Sequence, residues 1–466
     1  MSQPRRVFDG FGASQRSVST FVTPRDPEEL AAVFRRASEE GVRVAMRGSG
    51  RSYGDAALNG GQLIVDMRLM NQILSWDPET GIIETRPGLT IRELWQTILA
   101  DGWWPPVVPG TAWPTLGGCA SMNIHGKNHF KMGGIGDHIL ELDIVTPTGA
   151  LLTLSREVEP ELFHAVIAGF GMLGAITRVK LKMKQVESGR LRVRQWAVPD
   201  LRRQIEAFEA HREDSDYLVS WVDCIAPGRA LGRAQVHRAV YIPREHDPEV
   251  DLDPDHQHLP GHIMGVPKTL VPKILKLFSF NLGMRMVNLG KYLASVVGSN
   301  KPYLQGHVAF HFLLDYVPNF REAYDPGGFI QYQPFVPAAH ALDVFTDLLQ
   351  RCQRADIVPY LGVLKRYRPD DFLLSHALDG FSLAMDFPVT RANRDALWAL
   401  CHEMSDVVLE VGGRFYPAKD SVLRPEDFRR AFGQGPIATF RGLRDRVDPQ
   451  RILRTEWAER VGVDGD

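Results

Sequence analysis

The clearest periodicity in the chain lies near its start. Leu30, Val33, Phe34 and Ala37 recur at helical spacing, which predicts a helix from Pro27 to Glu40 with one buried face. Its ends carry signals too. Asp26 is a candidate N-cap, Pro27 suits the first helical position, Glu29 would complete a capping box, and Gly41 suits a left-handed residue after the last turn. A short apolar strand, Val42 to Met46, feeds a glycine-rich loop. Strand patterns follow at Leu63 to Met67 and Gly81 to Thr85, and a helix at Ile91 to Ala100 with Thr90 as its cap. A second glycine-rich region fills Pro109 to Gly136. Beyond it lie strands at Ile139 to Thr146 and Leu151 to Leu154, a helix-like run at Glu161 to Ala168, and a strand at Ala175 to Met183. Helix and strand alternate through this first part, which predicts an α/β or α+β fold.

From about Arg190 the character changes. Tyr217 to Val222, Val236 to Ile242 and Ser382 to Val389 read as strands, Ala338 to Gln350 and Arg391 to Leu409 as helices, and glycine-rich loops are absent. A second domain is expected here. Inside it, residues 256–314 contain no Asp or Glu, yet Lys268, Lys273, Lys276, Arg285, Lys291 and Lys301 stand among apolar neighbours. Such a stretch is too charged to span a bilayer. It reads either as helix lying on an anionic lipid surface or as a partly buried helical excursion with solvated lysines.

Composition narrows the class. A length of 466 residues allows roughly two to four domains or one large fold with an insertion. Hydrophobic residues at 44% and charged residues at 24% exclude wholesale disorder. Fifty-four Lys plus Arg against 56 Asp plus Glu leave a net charge of −2, so no global field draws nucleic acid and an anionic partner must be met locally. Cys119, Cys224, Cys352 and Cys401 are far apart and form no CxxC pair, which argues against a zinc ribbon or disulfide framework and points to a reducing compartment. Arg5-Arg6 resembles the start of a twin-arginine signal, but Asp9, Gly10 and Gly12 interrupt the apolar stretch that should follow. No run of about 18 apolar residues appears.

Three loops carry candidate chemistry. In Arg47-Gly48-Ser49-Gly50-Arg51-Ser52-Tyr53-Gly54-Asp55, flexible backbone amides, serine hydroxyls and an arginine suit an anion such as a diphosphate; a structural tight turn is the alternative. Gly169-Phe170-Gly171-Met172-Leu173-Gly174 matches GxGxxG by letter. A helix precedes it and a strand follows, the reverse of the dinucleotide fingerprint, so nicotinamide binding is not expected there. The run from Thr115 to His129 packs small residues beside His125, Lys127 and Asn128, which suits a flat ligand with a polar edge. His125, His129 and His138 also raise a metal site, but glycines flank them where a zincin needs helix, and no metal is expected.

Taken together, Gly50-Arg51-Ser52-Tyr53-Gly54-Asp55, Pro109-Gly110-Thr111, Ile124-His125-Gly126-Lys127-Asn128-His129, Gly328-Phe329-Ile330-Gln331-Tyr332-Gln333, Asp386-Phe387-Pro388 and Gly412 to Asp420 resemble the vanillyl-alcohol-oxidase superfamily with its PCMH-type FAD-binding domain. More narrowly they resemble the decaprenylphosphoryl-β-D-ribose oxidase family. The resemblance implies an α+β fold with a two-subdomain FAD-binding domain at 1–185 and an inserted antiparallel-sheet substrate domain at 186–410, which carries the basic apolar segment 256–314. Residues 411–466 would return to complete the site. It places Arg47, Gly48, Ser49, Gly50, Arg51, Ser52, Tyr53, Gly54, Asp55, Gly110, Thr115, Leu116, Gly117, Gly118, Met122, Asn123, Ile124, His125, Ile176 and Tyr416 around FAD. Arg51 stands where some relatives attach a histidine covalently to the flavin, so dissociable FAD is expected. Lys419 matches the lysine facing flavin and substrate, and Lys127, Gln331, Gln333 and Lys365 match residues around the sugar pocket. Ala384 replaces the cysteine that nitroaromatic inhibitors capture in the mycobacterial enzyme.

The implied reaction is oxidation of a sugar secondary alcohol, the 2′-hydroxyl of a polyprenylphosphoryl-β-D-ribose, as the first half of an epimerisation that supplies arabinose donors for cell walls. The candidate catalytic residues are Lys419, His125 and Tyr53. Lys419 is expected to position the hydroxyl, to support charge electrostatically, or to act as base, and His125 to orient the flavin or act as base. Expected partners are the lipid-linked phosphosugar, a keto-sugar reductase of the short-chain-dehydrogenase type, and the cytoplasmic membrane, touched peripherally from either side by a protein otherwise placed in the cytoplasm. Rival readings are a soluble sugar or polyol oxidase using oxygen, a flavin-free binding or scaffold protein, and a zinc hydrolase on His125, His129 and His138.

Overall fold

The computed structural model describes residues 4–465 apart from positions 248 and 264. The first helix forms over Pro27–Glu40 and buries Leu30, Ala31, Phe34 and Ala37. The Asp26 carboxylate accepts from the Glu29 amide, and Gly41 adopts φ 64°, the left-handed conformation its position called for. The capping box is not closed: Glu29 accepts from the Arg25 amide, one residue before the cap.

This helix connects strands of a mixed four-stranded sheet in the order Arg5–Asp9, Arg16–Val22, Leu63–Asp66, Val44–Arg47. The first pair is antiparallel and the other two pairs are parallel. A five-stranded antiparallel sheet follows, ordered Ile73–Asp77, Ile82–Thr85, Ala175–Lys182, Ile139–Val145, Leu151–Ser155. The chain then builds a nine-stranded antiparallel sheet from Arg190–Val198, Tyr217–Val222, Ala234–Tyr241, Tyr303–Gly306, Phe329–Tyr332, Pro334–Pro337, Leu361–Tyr367, Gly380–Pro388 and Arg414–Phe415. The architecture is α+β. Helices Ala341–Arg354 and Arg394–Glu410 lie against the large sheet and bury Phe345, Leu348, Leu397 and Met404. One contiguous hydrophobic core runs from Ile83 and Trp104 through Phe335 and Phe381 to Trp457, so the smaller sheet and the large one share their interior.

The C-terminal chain crosses back. After Arg414–Phe415 joins the large sheet, Leu453 bridges Val44 on the first sheet. Arg460 holds Asp55 and Asp420 together at 2.8 and 3.0 Å. All four cysteines are free and buried.

The acid-free stretch forms helices Val271–Leu277 and Asn281–Val297, the strand Tyr303–Gly306 and the helix His307–His311. The Asn281–Val297 helix buries only Gly283, Met284, Asn288 and Ser295. Leu277, Phe280, Leu282, Met286, Leu293 and Val297 are all more than half exposed. No helix among the described residues is long and apolar enough to cross a membrane.

Candidate active site

Side chains alternate across a strand, so Leu361, Val363 and Lys365 emerge on one face of the large sheet while Leu364 and Arg366 enter the other. Register extends that face. Val363 pairs with Trp221 on one side and Ala384 on the other, and Gln235 pairs with Trp221. Leu361, Val363, Lys365, Ala384, Trp221 and Gln235 line a cavity of about 680 Å³, within the range of roughly 300–1,000 Å³ usual for ligand sites. Its opposite wall comes from the glycine-rich loops of the first part of the chain.

Those loops are stitched together directly. Ser49 Oγ donates to the Trp113 carbonyl at 2.5 Å, and a Cβ on Gly48 would collide with the Thr115 side chain. Gly50 has φ 65°, which glycine adopts without strain. The far end of the same loop meets the C-terminal turn: the Tyr53 amide donates to Ala418 at 2.8 Å, and Gly54 packs on the Asp420 carbonyl. The Asp420 carboxylate accepts from Val422, Leu423, Trp457 Nε1 and Arg460, which fixes the turn carrying Lys419.

As a result Lys419 Nζ sits 3.4 Å from the centroid of the Tyr53 ring, a cation–π contact. Burial pulls the Lys419 ammonium down to about 7; Asp386 opposes this and Lys365 adds to it. The buried Asp386 carboxyl is raised by the loss of water, and Gln331 Nε2 donates to it at 2.6 Å. Among the described residues Tyr53 Oη has no hydrogen-bond partner of good geometry, although Gln331 lies near enough to favour its ionised form slightly against the burial that raises it. His125 Nδ1 lies 3.0 Å from Tyr367 Oη and Nε2 3.4 Å from Gln333 Nε2. Burial, followed by Lys365, the neighbouring His376 and His129, and Lys419, draws this imidazole well below its usual value, so it is a weak proton acceptor and suits an orienting group.

Most of the expected residues meet here. Gly48, Ser49, Gly50, Arg51, Ser52, Tyr53, Gly110, Thr115, Gly117, Gly118, Met122, Ile124, His125, Ile176 and Tyr416 line the cavity, as do Lys127, Gln331, Gln333, Lys365, Ala384 and Lys419. Four do not. Gly54 and Asp55 face the C-terminal segment, where Asp55 pairs with Arg460; Leu116 is in the core; and Asn123 bonds to Asp370 and Gly136. The Asp55 and Asn123 side chains tie the loops to the rest of the chain. Arg47 borders the cavity, but its guanidinium is spent on the Asp9 and Ala57 carbonyls. Lys127 Nζ likewise donates to the carbonyls of Phe310 and His311. His138 turns onto the Met132 carbonyl at 3.0 Å, away from His125 and His129. Among the described residues no three His, Cys, Asp or Glu side chains are arranged to hold a metal.

Sequence reasoning passed over several participants. The 169–174 loop, discarded as a nicotinamide site, has the helix-before-strand context expected of it, yet Phe170, Gly171 and Gly174 line the cavity. Asp386, Tyr367, Trp221, His237 and Lys291 were not singled out as site residues either. Strand alternation around Val363 would have found Trp221 once the pairing was known; Asp386 stands in the Asp386-Phe387-Pro388 motif, which carries the resemblance without assigning it a site role.

A ligand with a phosphate and a flat ring fits what is present. The glycine loop approaches without side chains, and Arg51 Nε and Tyr53 Oη are buried beside the cavity without a partner among the described residues. Comparison with known proteins agrees. Residues 18–155 match the model of an FAD binding domain. The chain is 31% identical to the decaprenylphosphoryl-β-D-ribose oxidase of Mycolicibacterium smegmatis over 458 residues, covering 97% of this chain and 96% of that one. It is 30% identical over 162 residues to a putative D-arabinono-1,4-lactone oxidase of Neurospora crassa, 35% of this chain and 29% of that one. It is also 30% identical over 162 residues to a D-lactate dehydrogenase of Anaerostipes hadrus, 34% of each. Similarity to the lactone oxidase and the dehydrogenase covers about a third of the chain, whereas similarity to the ribose oxidase runs through both the glycine loops and the large sheet. The chain is therefore an FAD-dependent oxidoreductase and belongs to the decaprenylphosphoryl-β-D-ribose oxidase family.

Proposed function

We propose that the protein oxidises the 2′-hydroxyl of a polyprenylphosphoryl-β-D-ribose to the 2′-keto sugar, the first half of an epimerisation completed by a separate keto-sugar reductase of the short-chain-dehydrogenase type. The observation that carries this reading is the chemistry of the cavity wall: Lys127, Lys291, Lys365 and Lys419 line it, and among the described residues no Asp or Glu does. Such a wall favours an anionic sugar derivative over a neutral polyol.

Bound FAD supplies the acceptor for a hydride from the alcohol carbon. The chain must hold the alcohol, take its hydroxyl proton and exclude water. Lys419 is placed to do the first two. A lysine drawn down towards neutrality by burial is partly amine at physiological pH, so it can accept the proton as the hydride leaves. Gln331 and Gln333, held by Asp386 and Ser382, present amides to the sugar's other hydroxyls. His125 fixes the edge of the ring site through Tyr367.

The exposed apolar row on Val271–Leu277 and Asn281–Val297, with Lys268, Lys273 and Lys276 around it, supports peripheral contact with an anionic membrane. Leu275, Leu313 and Leu314 continue that apolar surface into the cavity, a path suited to a prenyl tail.

The test is product analysis. Incubation with farnesylphosphoryl-β-D-ribose and a dye acceptor should yield a keto sugar reducible by borohydride to both ribo and arabino products. Rapid peroxide formation with aldonolactones or alditols and no turnover of the phosphosugar would favour the rival oxygen-using oxidase.

A further inference from the structure

The Asn281–Val297 helix has an anomaly on its inner face. Met284, Asn288 and Ser295 are buried and Val287 half-buried on one side of it, and Lys291, at the same spacing of three and four, is exposed at the cavity that it lines. Met284 and Val287 pack against Ile225, Val358, Tyr360 and Tyr324, and Asn288 donates to Asp223 at 3.3 Å. Lys291 Nζ lies over the Trp221 ring, 4.4 Å from its centroid, and the residue lines the cavity. Its side chain keeps accessible surface bordering the cavity, while the protein crowding its ammonium end pulls it down to about 8.

Its neighbours sharpen the point. Lys127 spends its donors on two backbone carbonyls and Lys419 rests on Tyr53. Among the described residues, no carboxylate lies within ion-pair distance of Lys291 or Lys365 and no side-chain hydrogen bond occupies their ammonium groups. His237, on the strand facing Trp221, is kept neutral by burial and then by Lys291 and Lys127, so this end of the cavity holds repelling cations and no counter-ion.

We propose that Lys291 reads the phosphate of a lipid-linked substrate, together with Lys365, and that the Asn281–Val297 helix thereby recognises both halves of that molecule, tail on its exposed apolar face and phosphate on its inner one. This rests on the reading of the substrate as a polyprenyl phosphosugar. An ammonium beside a phosphate oxygen makes a charge-assisted hydrogen bond, and in a confined cavity its loss weakens binding on the order of tenfold to a hundredfold.

The test is calorimetric binding to the FAD-loaded protein, independent of turnover. Farnesyl phosphate, ribose 5-phosphate, inorganic phosphate and farnesol are titrated into wild type, Lys291→Met, Lys291→Arg and Lys301→Met. The expected result is that Lys291→Met weakens farnesyl phosphate on the order of tenfold to a hundredfold, while Lys291→Arg and Lys301→Met stay near wild type and farnesol is unaffected. Unchanged farnesyl phosphate binding in a folded Lys291→Met variant overturns the proposal, as does an equal loss of farnesol, which would mark a packing role. Equal affinity for ribose 5-phosphate and farnesyl phosphate would overturn its lipid-linked half. If Lys291-dependent binding holds while farnesylphosphoryl-ribose is not oxidised, the reaction proposed above fails and the phosphate site stands.

Discussion

Lys419 Nζ lies 3.4 Å from the centroid of the Tyr53 ring, although 366 residues separate them in the chain (419 − 53). The contact exists because the Tyr53 amide donates to Ala418 and Asp420 anchors the turn between them to Trp457 and Arg460. The ring offers the ammonium its negative face, and the pull of the buried Asp386 carboxyl towards the charged form only partly offsets the loss of water. That combination leaves Lys419 able to titrate near neutrality.

The first prediction follows from that titration. Burial lowers Lys419 to about 7, so the amine form needed to take a proton grows as pH rises. Below that value the rate of flavin reduction by substrate should fall about tenfold per pH unit, and above it the rate should level off. Stopped-flow reduction across pH 5.5 to 9 on the order of half-unit steps checks this; a rate that falls as pH rises through 7 would assign Lys419 a purely cationic role.

Gly54→Ala should separate the two loops. The added methyl would meet the Asp420 carbonyl, and an overpacked contact of this kind costs about 1–3 kcal/mol. Thermal unfolding should shift down, and Lys419 should lose its place over Tyr53, so flavin reduction should slow more than stability alone explains. Wild-type reduction rates in the folded variant would show that the turn is positioned otherwise.

The flavin should dissociate. Arg51 borders the cavity where some relatives carry the histidine that bonds to flavin, and its guanidinium stays protonated and non-nucleophilic. Acid precipitation should leave the yellow colour in the supernatant; a yellow pellet would reveal a covalent link elsewhere.

Membrane contact should depend on the exposed row. Replacing Leu277, Leu282, Met286 and Val297 by serine removes apolar surface worth on the order of 1.5–3 kcal/mol for each fully inserted side chain. Co-sedimentation with vesicles containing anionic lipid should drop by at least tenfold while the thermal midpoint holds. Equal sedimentation would leave this face without a lipid role.

Much of this was legible in the sequence because the signals were local. The Asp26 cap, the Gly41 stop, the glycine loop after Val44–Arg47 and the strand-like run Tyr217–Val222 each act over a few residues. The resemblance then supplied Lys419, Gln331 and Gln333, which no periodicity marks. What stayed hidden depends on long-range register. Asp55 looked like a ligand-loop residue until its partner, Arg460, came into place from the far end of the chain. Lys291 reads as one more solvated lysine because its place over Trp221 at the cavity depends on how the helix packs on a strand 70 residues earlier (291 − 221). Asp386 matters through Lys419 and Gln331, neither of them near it in sequence.

The central claim, that Lys419 serves a flavin-dependent oxidation in the cavity between the glycine loops and the large sheet, is tested most directly by anaerobic titration with farnesylphosphoryl-β-D-ribose. Wild-type protein should lose its visible flavin absorbance as the ligand reaches stoichiometric amounts, and Lys419→Met should keep both its FAD and its colour. Persistent colour in the wild type, or bleaching of Lys419→Met at the wild-type rate, would contradict the account.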